Sequence, residues 1–282
     1  MNIKRLEQRL EEQTGSSWTI GVSTLLSPHD PAQGIIDLLE VTKGLSRIEI
    51  ALARQLDDED RTADRLTELK KKHDLQYSVH APFLYDDLAH PKDSVRKIYV
   101  DEGRKAIDLA TRIGALHTVF HPGELFFRQN LPPVELFESF RISRENYVSN
   151  SLKSLTTLSE YASGHGVTLL VENLPHGLCD GPEEMRYLLS QLNNSSFLLD
   201  IGHANISGTL DQLLDLEPRY FHFNDNDGVE DDHRRLGEGT IDFDLLLERL
   251  RGYGGDKTII LELYSLADVL ASLEVFESTL GA

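Results

Sequence analysis

Leu169-Leu170-Val171-Glu172, Phe197-Leu198-Leu199-Asp200 and Ile259-Ile260-Leu261-Glu262 are apolar runs that each end on a carboxylate. Tyr77-Ser78-Val79-His80, Thr118-Val119-Phe120-His121 and Tyr220-Phe221-His222 end in the same way on an imidazole. Short apolar runs of this kind read as strands buried on both faces, the habit of parallel sheets covered by helices. A buried strand should end in turn residues, so six endings on a metal-binding side chain point to parallel strands whose carboxyl ends share one polar site. In a barrel of alternating strands and helices the βα loops surround one mouth, and chemistry sits there. The pattern predicts an active site, and with it a metal.

Working outward, the strand candidates are Trp18–Ser23, Arg47–Ala51, Gln76–His80, Leu116–His121, Val167–Glu172, Ser196–Asp200, Tyr220–Phe223 and Thr258–Leu263. Helical periodicity lies between them, at Val95–Ile113, Asn146–Ser163, Pro182–Leu192 and Phe243–Arg251, and Gly114, Gly166 and Gly254 are placed to cap three of these helices. Strands alternating with helices predict an α/β fold, a closed (β/α)8 TIM barrel, as a single domain over 1–282. Its core spans about 18–265, after an amphipathic helix at about 2–13. An open doubly wound sheet would carry a GxGxxG loop after the first strand, and Thr24-Leu25-Leu26-Ser27-Pro28-His29-Asp30 is no such loop. The stretch at about 122–145, with Phe126-Phe127 and Pro132-Pro133, reads as a structured lid over the mouth.

Composition narrows the function class. The 28 basic and 47 acidic side chains give a formal charge of −19, which works against binding to a phosphate backbone. No apolar run approaches the roughly 20 residues of a bilayer span. The opening Met1-Asn2-Ile3-Lys4-Arg5 is charged and lacks the apolar centre of a signal peptide. A lone cysteine, Cys179, permits neither an internal disulfide nor a cysteine metal site. The default expectation is a cytoplasmic protein.

Three carboxylates at strand ends, Glu172, Asp200 and Glu262, would repel one another in a buried mouth unless cations were present. The same strand ends offer His80, His121 and His222, while His203 follows Asp200 by three residues and Asp231-Asp232-His233 adds a DxH pair. Neutral imidazole with carboxylate suits Zn or Mn, with Mg, Co or Fe as alternatives. His29, His73, His90, His117, His165 and His176 lack such a setting.

His80-Ala81-Pro82-Phe83, His121-Pro122-Gly123-Glu124, Glu172-Asn173, Asp200-Ile201-Gly202-His203, His222-Phe223-Asn224-Asp225, Asp231-Asp232-His233, Leu236-Gly237-Glu238-Gly239 and Leu261-Glu262 together resemble the xylose isomerase-like TIM barrel superfamily. That group holds sugar and sugar-phosphate isomerases and epimerases, inosose dehydratase-like enzymes, and endonuclease IV-type (AP endonuclease family 2) repair enzymes. The resemblance implies two alternative sites. In the ketose 3-epimerase pattern, Glu172, Asp200, His222 and Glu262 hold one divalent ion and the two glutamates are the catalytic acid and base. In the endonuclease IV pattern, His80, His121, Glu172, Asp200, His203, His222, Asp231, His233 and Glu262 hold three zinc ions for phosphodiester chemistry on abasic DNA.

Charge at the mouth favours the sugar branch. Asp57-Asp58-Glu59-Asp60, Asp86-Asp87, Glu183-Glu184 and the run from Asp225 to Asp232 are the wrong residues with which to grip DNA. The expected activity is therefore a metal-dependent isomerase or epimerase. One of Glu172 and Glu262 would abstract a proton next to a polarised carbonyl, and the other would return one. The expected partner is a small carbohydrate. Nucleic acid and membrane are not expected, and self-association stays open. His203, Asn173, Asn224 and Arg234 are the substrate-binding candidates, and Arg141, Arg144 and Arg235 are further bases near the mouth. An inosose dehydratase-like lyase, and a barrel that binds a ligand without turning it over, are the remaining readings.

Overall fold

Each of the apolar runs pairs in parallel with its neighbours in the computed structural model, whose described residues are 2–53, 58–84, 87–125 and 143–281. The strands are β1 (Trp18–Ser23), β2 (Arg47–Ala51), β3 (Gln76–His80), β4 (His117–Phe120), β5 (Thr168–Glu172), β6 (Ser195–Asp200), β7 (Tyr220–Phe223) and β8 (Lys257–Leu261). They follow one another around a closed barrel in sequence order, β8 returning to β1 through Trp18↔Lys257 to Val22↔Leu261. The (β/α)8 TIM barrel is thus the fold.

Helices α1 (Ile3–Thr14), α2 (Pro31–Val41), α3 (Glu59–His73), α4 (Asp93–Ile113), α5 (Arg144–Gly164), α6 (Pro182–Gln191), α7 (Ile201–Ser207), α8 (Leu210–Leu214), α9 (Phe243–Arg251) and α10 (Leu266–Gly281) surround it. Their starts obey capping chemistry. Asp30, Asp58, Ser143 and Asp242 each accept a backbone N–H from the first turn, and Pro31 and Pro182 occupy positions where no N–H is missed. Outward-facing strand residues such as Ile48, Tyr77, Phe221 and Leu261 are fully buried beneath these helices.

Three sequence expectations need correction. β4 stops at Phe120 and β8 at Leu261, so His121 and Glu262 are the first residues beyond their strands rather than the last within them. Gly254 is not the cap: α9 ends at Arg251 with Gly252 as its cap residue at φ −71°, and the left-handed glycine of that turn is Gly255 at φ 74°. Gly114 (φ 66°) is a left-handed cap as expected, and Gly166 (φ 71°) follows the cap residue His165. Most of the expected lid, including Phe126, Phe127, Pro132, Pro133 and Arg141, lies outside the described residues, as do Asp57 and Asp86.

Alternation along the strands fills the barrel interior in layers. Val119, Leu170 and Leu198 pack together with Tyr220 on one side. The amino-terminal end is polar. His117 Nδ1 lies 2.9 Å from the Arg47 guanidinium and its Nε2 lies 2.9 Å from the Tyr220 hydroxyl. Arg47 can only donate, so Nδ1 accepts and Nε2 carries the hydrogen. Burial, and then the charge of Arg47, push His117 down to about 4, which keeps this ring neutral.

Candidate metal centre

The carboxyl-terminal rim of the barrel gathers all nine predicted ligands. Their donor atoms fall into four groups, the members of each within 4.8 Å of one another: three that share residues, His80 with His121 and Glu172, Glu172 with Asp200, His222 and Glu262, and His80 with His222 and Glu262; and a separate one, His203 with Asp231 and His233. Glu172, Asp200, His222, Glu262, His80 and His203 are buried, while the Asp231 side chain is 32% exposed at the rim.

Glu172 is the hub. Its Oε2 lies 3.1 Å from His80 Nε2 and 3.4 Å from His121 Nε2, while Oε1 lies 3.3 Å from His222 Nδ1 and 3.4 Å from His203 Nδ1. Glu262 Oε2 approaches His222 Nδ1 from another side at 3.1 Å, and Asp200 Oδ2 lies 3.9 Å from the same nitrogen. Asp200 is held through both oxygens: Oδ1 accepts from His203 N at 2.7 Å as the cap of α7, and Oδ2 accepts from Asn224 Nδ2 at 3.0 Å. The Asn173 side chain bridges to the Asp200 backbone on both sides, at 2.9 and 3.0 Å. Asn173 and Asn224, expected as substrate contacts, therefore spend these groups on fixing Asp200.

The third group depends on the loop after β7. Asp225 and Arg234 pair through reciprocal backbone hydrogen bonds of 2.9 and 2.8 Å. The buried Asp225 carboxylate accepts the backbone N–H groups of Asn226, Gly237, Gly239 and Ile241. The loop so folded sets Asp231 Oδ2 3.0 Å from His203 Nε2 and 3.4 Å from His233 Nε2. His233 takes a left-handed φ of 44°, a conformation that costs a non-glycine residue about 1 kcal/mol or more and is kept where surroundings over-determine it.

The donor set fits a divalent ion. His80 Nδ1 lies 2.9 Å from Ala81 O, His203 Nδ1 2.8 Å from Asn173 O and His233 Nδ1 2.9 Å from Glu262 O. A carbonyl only accepts, so each Nδ1 carries its hydrogen and each Nε2 presents a lone pair to a carboxylate oxygen. A lone pair facing a carboxylate at 3.0–3.4 Å is repulsive unless a proton or a cation lies between them. The carboxylates without a cation draw protons instead. Burial pulls His203 and His222 down, but Asp200 and Asp231 around the first, and Glu262 and Glu49 around the second, lift both well above the usual imidazole range. Burial works against His233 too, yet Asp231 and Glu262 raise it to about 9. Burial alone would raise Glu262, but His222 holds it down at about 2. Burial pushes Asp200 up to about 6.

A pH dependence follows. The folded His233 value of about 9 exceeds the ordinary 6.5, so its stabilising charge is complete below pH 6.5 and lost as pH rises through 9. Chelator-treated protein is expected to lose melting temperature across that window, and divalent metal to restore it by replacing the protons. A flat profile in scanning calorimetry would contradict this assignment of charge.

Sequence reasoning missed three residues here. Glu49, midway along β2, is 1% exposed and its Oε1 lies 2.9 Å from His222 Nε2. Phe83 stacks edge-on beside His80 at 4.8 Å between ring centres, and Tyr264 lies 5.0 Å from His233. These two rings flank the cluster on the β3 and β8 sides. Arg234, a predicted substrate contact, is engaged by Asp232 at 2.6 Å and Asp227 at 3.1 Å. Arg144 is tied to Asp180 and Glu184, and Arg235 to Glu238. Among the described residues, His29, His73, His90, His117, His165 and His176 join none of the four ligand groups.

Residues 37–279 match the family model described as Xylose isomerase-like TIM barrel. The chain belongs to that family. Uncharacterized protein MJ1311 of Methanocaldococcus jannaschii is 30% identical over 230 residues, covering 76% of this chain and 73% of its own length. Among solved structures, a D-tagatose 3-epimerase-like protein aligns with TM-score 0.79 and 26% identity, over 93% of this chain and 97% of that one. The TTHB071 protein from Thermus thermophilus, soaked with ZnCl2, aligns with TM-score 0.70 and 27% identity, over 93% and 98% of the two chains.

Proposed function

We propose that this chain is a divalent-metal-dependent isomerase or epimerase of a small hydroxy-carbonyl sugar or sugar phosphate. The observation that carries the reading is the pair Glu172 and Glu262, both buried and both held as carboxylates, meeting at His222 Nδ1 from two sides at 3.3 and 3.1 Å. Glu172, Asp200, His222 and Glu262 would hold the ion, which when bound supplies Lewis-acid polarisation of a substrate carbonyl. One glutamate would accept the proton from the carbon next to that carbonyl. The other, also a carboxylate at rest, would first take up a proton from solvent or a substrate hydroxyl and then return it to the opposite face. Phe83 and Tyr264 would wall the sugar and exclude water. The likeness to a D-tagatose 3-epimerase-like protein supports the substrate class. Arg144 and Arg234 are already paired with carboxylates, and Asp58, Glu59 and Glu230 on the βα loops add further negative charge, which speaks against a polynucleotide.

A second reading is a multinuclear phosphoesterase. The observation behind it is that Glu172 turns one oxygen to His80 Nε2 and His121 Nε2 and the other to His222 Nδ1, as a carboxylate shared between ions does. The test is solvent exchange. Metal-loaded protein incubated in D2O with ketoses and ketose phosphates is expected to place deuterium on the carbon next to the carbonyl. Cleavage of phosphate esters with no carbon exchange would replace the first reading by the second.

A further inference from the structure

His222 differs from its companions in which nitrogen faces the carboxylates. His80, His203 and His233 each rest Nδ1 on a main-chain carbonyl, at 2.8–2.9 Å, and present Nε2. His222 is reversed: Nδ1 faces Glu172 and Glu262, and Nε2 faces Glu49 Oε1 at 2.9 Å. Nε2 and Oε1 are both buried and lie 2.9 Å apart, yet neither makes a well-aligned hydrogen bond to any group, so this close approach is the contact in which a proton on Nε2 would be stabilised. The second Glu49 oxygen accepts from Ser78 Oγ at 3.0 Å, which fixes the carboxylate from β3. A carboxylate enclosed in a barrel interior is destabilising unless it is paired, and the same interior holds Val119, Leu170 and Leu198.

We infer that Glu49 is a positioning residue that holds the hydrogen of His222 on Nε2 and so presents Nδ1 as the ligand atom. This rests on the proposed metal centre. A carboxylate behind an imidazole orients the ring and makes its free nitrogen more basic than a carbonyl would. His222 is therefore the histidine whose ligation the protein strengthens with a charge, and it is the one that joins Glu172, Asp200 and Glu262 in one group.

The test is zinc affinity, read by chelator competition on full-length protein. Glu49→Gln keeps an acceptor for Nε2–H but removes the charge, and is expected to weaken zinc by roughly tenfold. Glu49→Leu removes both, with an expected loss of about a hundredfold. The Leu variant leaves His222 Nε2–H and Ser78 Oγ without their acceptor and should melt lower when metal-free, whereas the Gln variant keeps the acceptor and should melt near wild type while still binding zinc more weakly. That separates positioning from folding. Ser78→Ala, which frees the carboxylate without touching His222, should give a smaller loss of the same sign. In zinc-loaded wild type, nitrogen-15 NMR of the His222 ring should show a protonated Nε2 and a ligating Nδ1. Affinities within twofold of wild type in both Glu49 variants, or ligation through Nε2, would overturn the inference and leave the metal centre standing. Wild type that binds no zinc would remove the metal centre and this inference with it.

Discussion

Glu172→Gln is expected to cut turnover by at least about a thousandfold in a barrel that still folds. The side chain contacts four imidazoles, His80, His121, His203 and His222, and is the shared member of two ligand groups. The amide keeps the volume but loses the charge and turns a donor toward a lone pair. Burial would raise the Glu172 carboxyl, yet His222 and His121 hold it well below its ordinary range. At neutral pH it is thus a base, ready to take a proton. Metal affinity should fall as well, so kcat is to be measured at saturating metal. Glu262→Gln should lose turnover comparably, with less effect on the group around His80 and His121. Full activity in either variant with metal bound would remove that glutamate from proton transfer.

Asp225→Ala is expected to be the most damaging change outside the ligands. It strands the backbone N–H groups of Asn226, Gly237, Gly239 and Ile241, which now converge on one carboxylate. Each buried donor left without a partner costs about 1–3 kcal/mol. A stability loss of at least about 3 kcal/mol is therefore expected in urea unfolding, allowing some donors to find water. The loop that carries Asp231 and His233 should lose its set, and zinc uptake at His203 should fall with it. Unchanged unfolding and unchanged uptake would mean that the loop is held by something other than Asp225.

The site was legible in the sequence where a charge closed an apolar run. Glu172 and Asp200 end strands, so their burial and convergence follow from the strand pattern alone, and His203 follows Asp200 by just under one helical turn. Glu49 hid for the opposite reason. Arg47 and Glu49 alternate with Ile48 and Ile50, which reads as a strand with one wet face. Only closure of the barrel turns that face into an interior, and closure is a relation between β1 and β8 that no local pattern carries. Phe83 and Tyr264 were missed because an aromatic residue just past a strand has no spacing signature; their role depends on the imidazoles beside them. The pairing of Arg234 was not legible. Its neighbours Asp227 and Asp232 are close in sequence, but only the turn of the loop brings both carboxylates onto one guanidinium.

The central claim is that this rim is built to hold divalent metal, and elemental analysis of protein purified without chelator addresses it most directly. The account predicts at least one tightly held divalent ion per chain, lost in Glu172→Ala and regained by wild type after chelation and refilling. About one Zn or Mn accords with the isomerase reading, and two or three with a site that also uses His80, His121, His203, Asp231 and His233. Protein that retains no divalent metal, and takes up none at micromolar concentrations, would contradict the account.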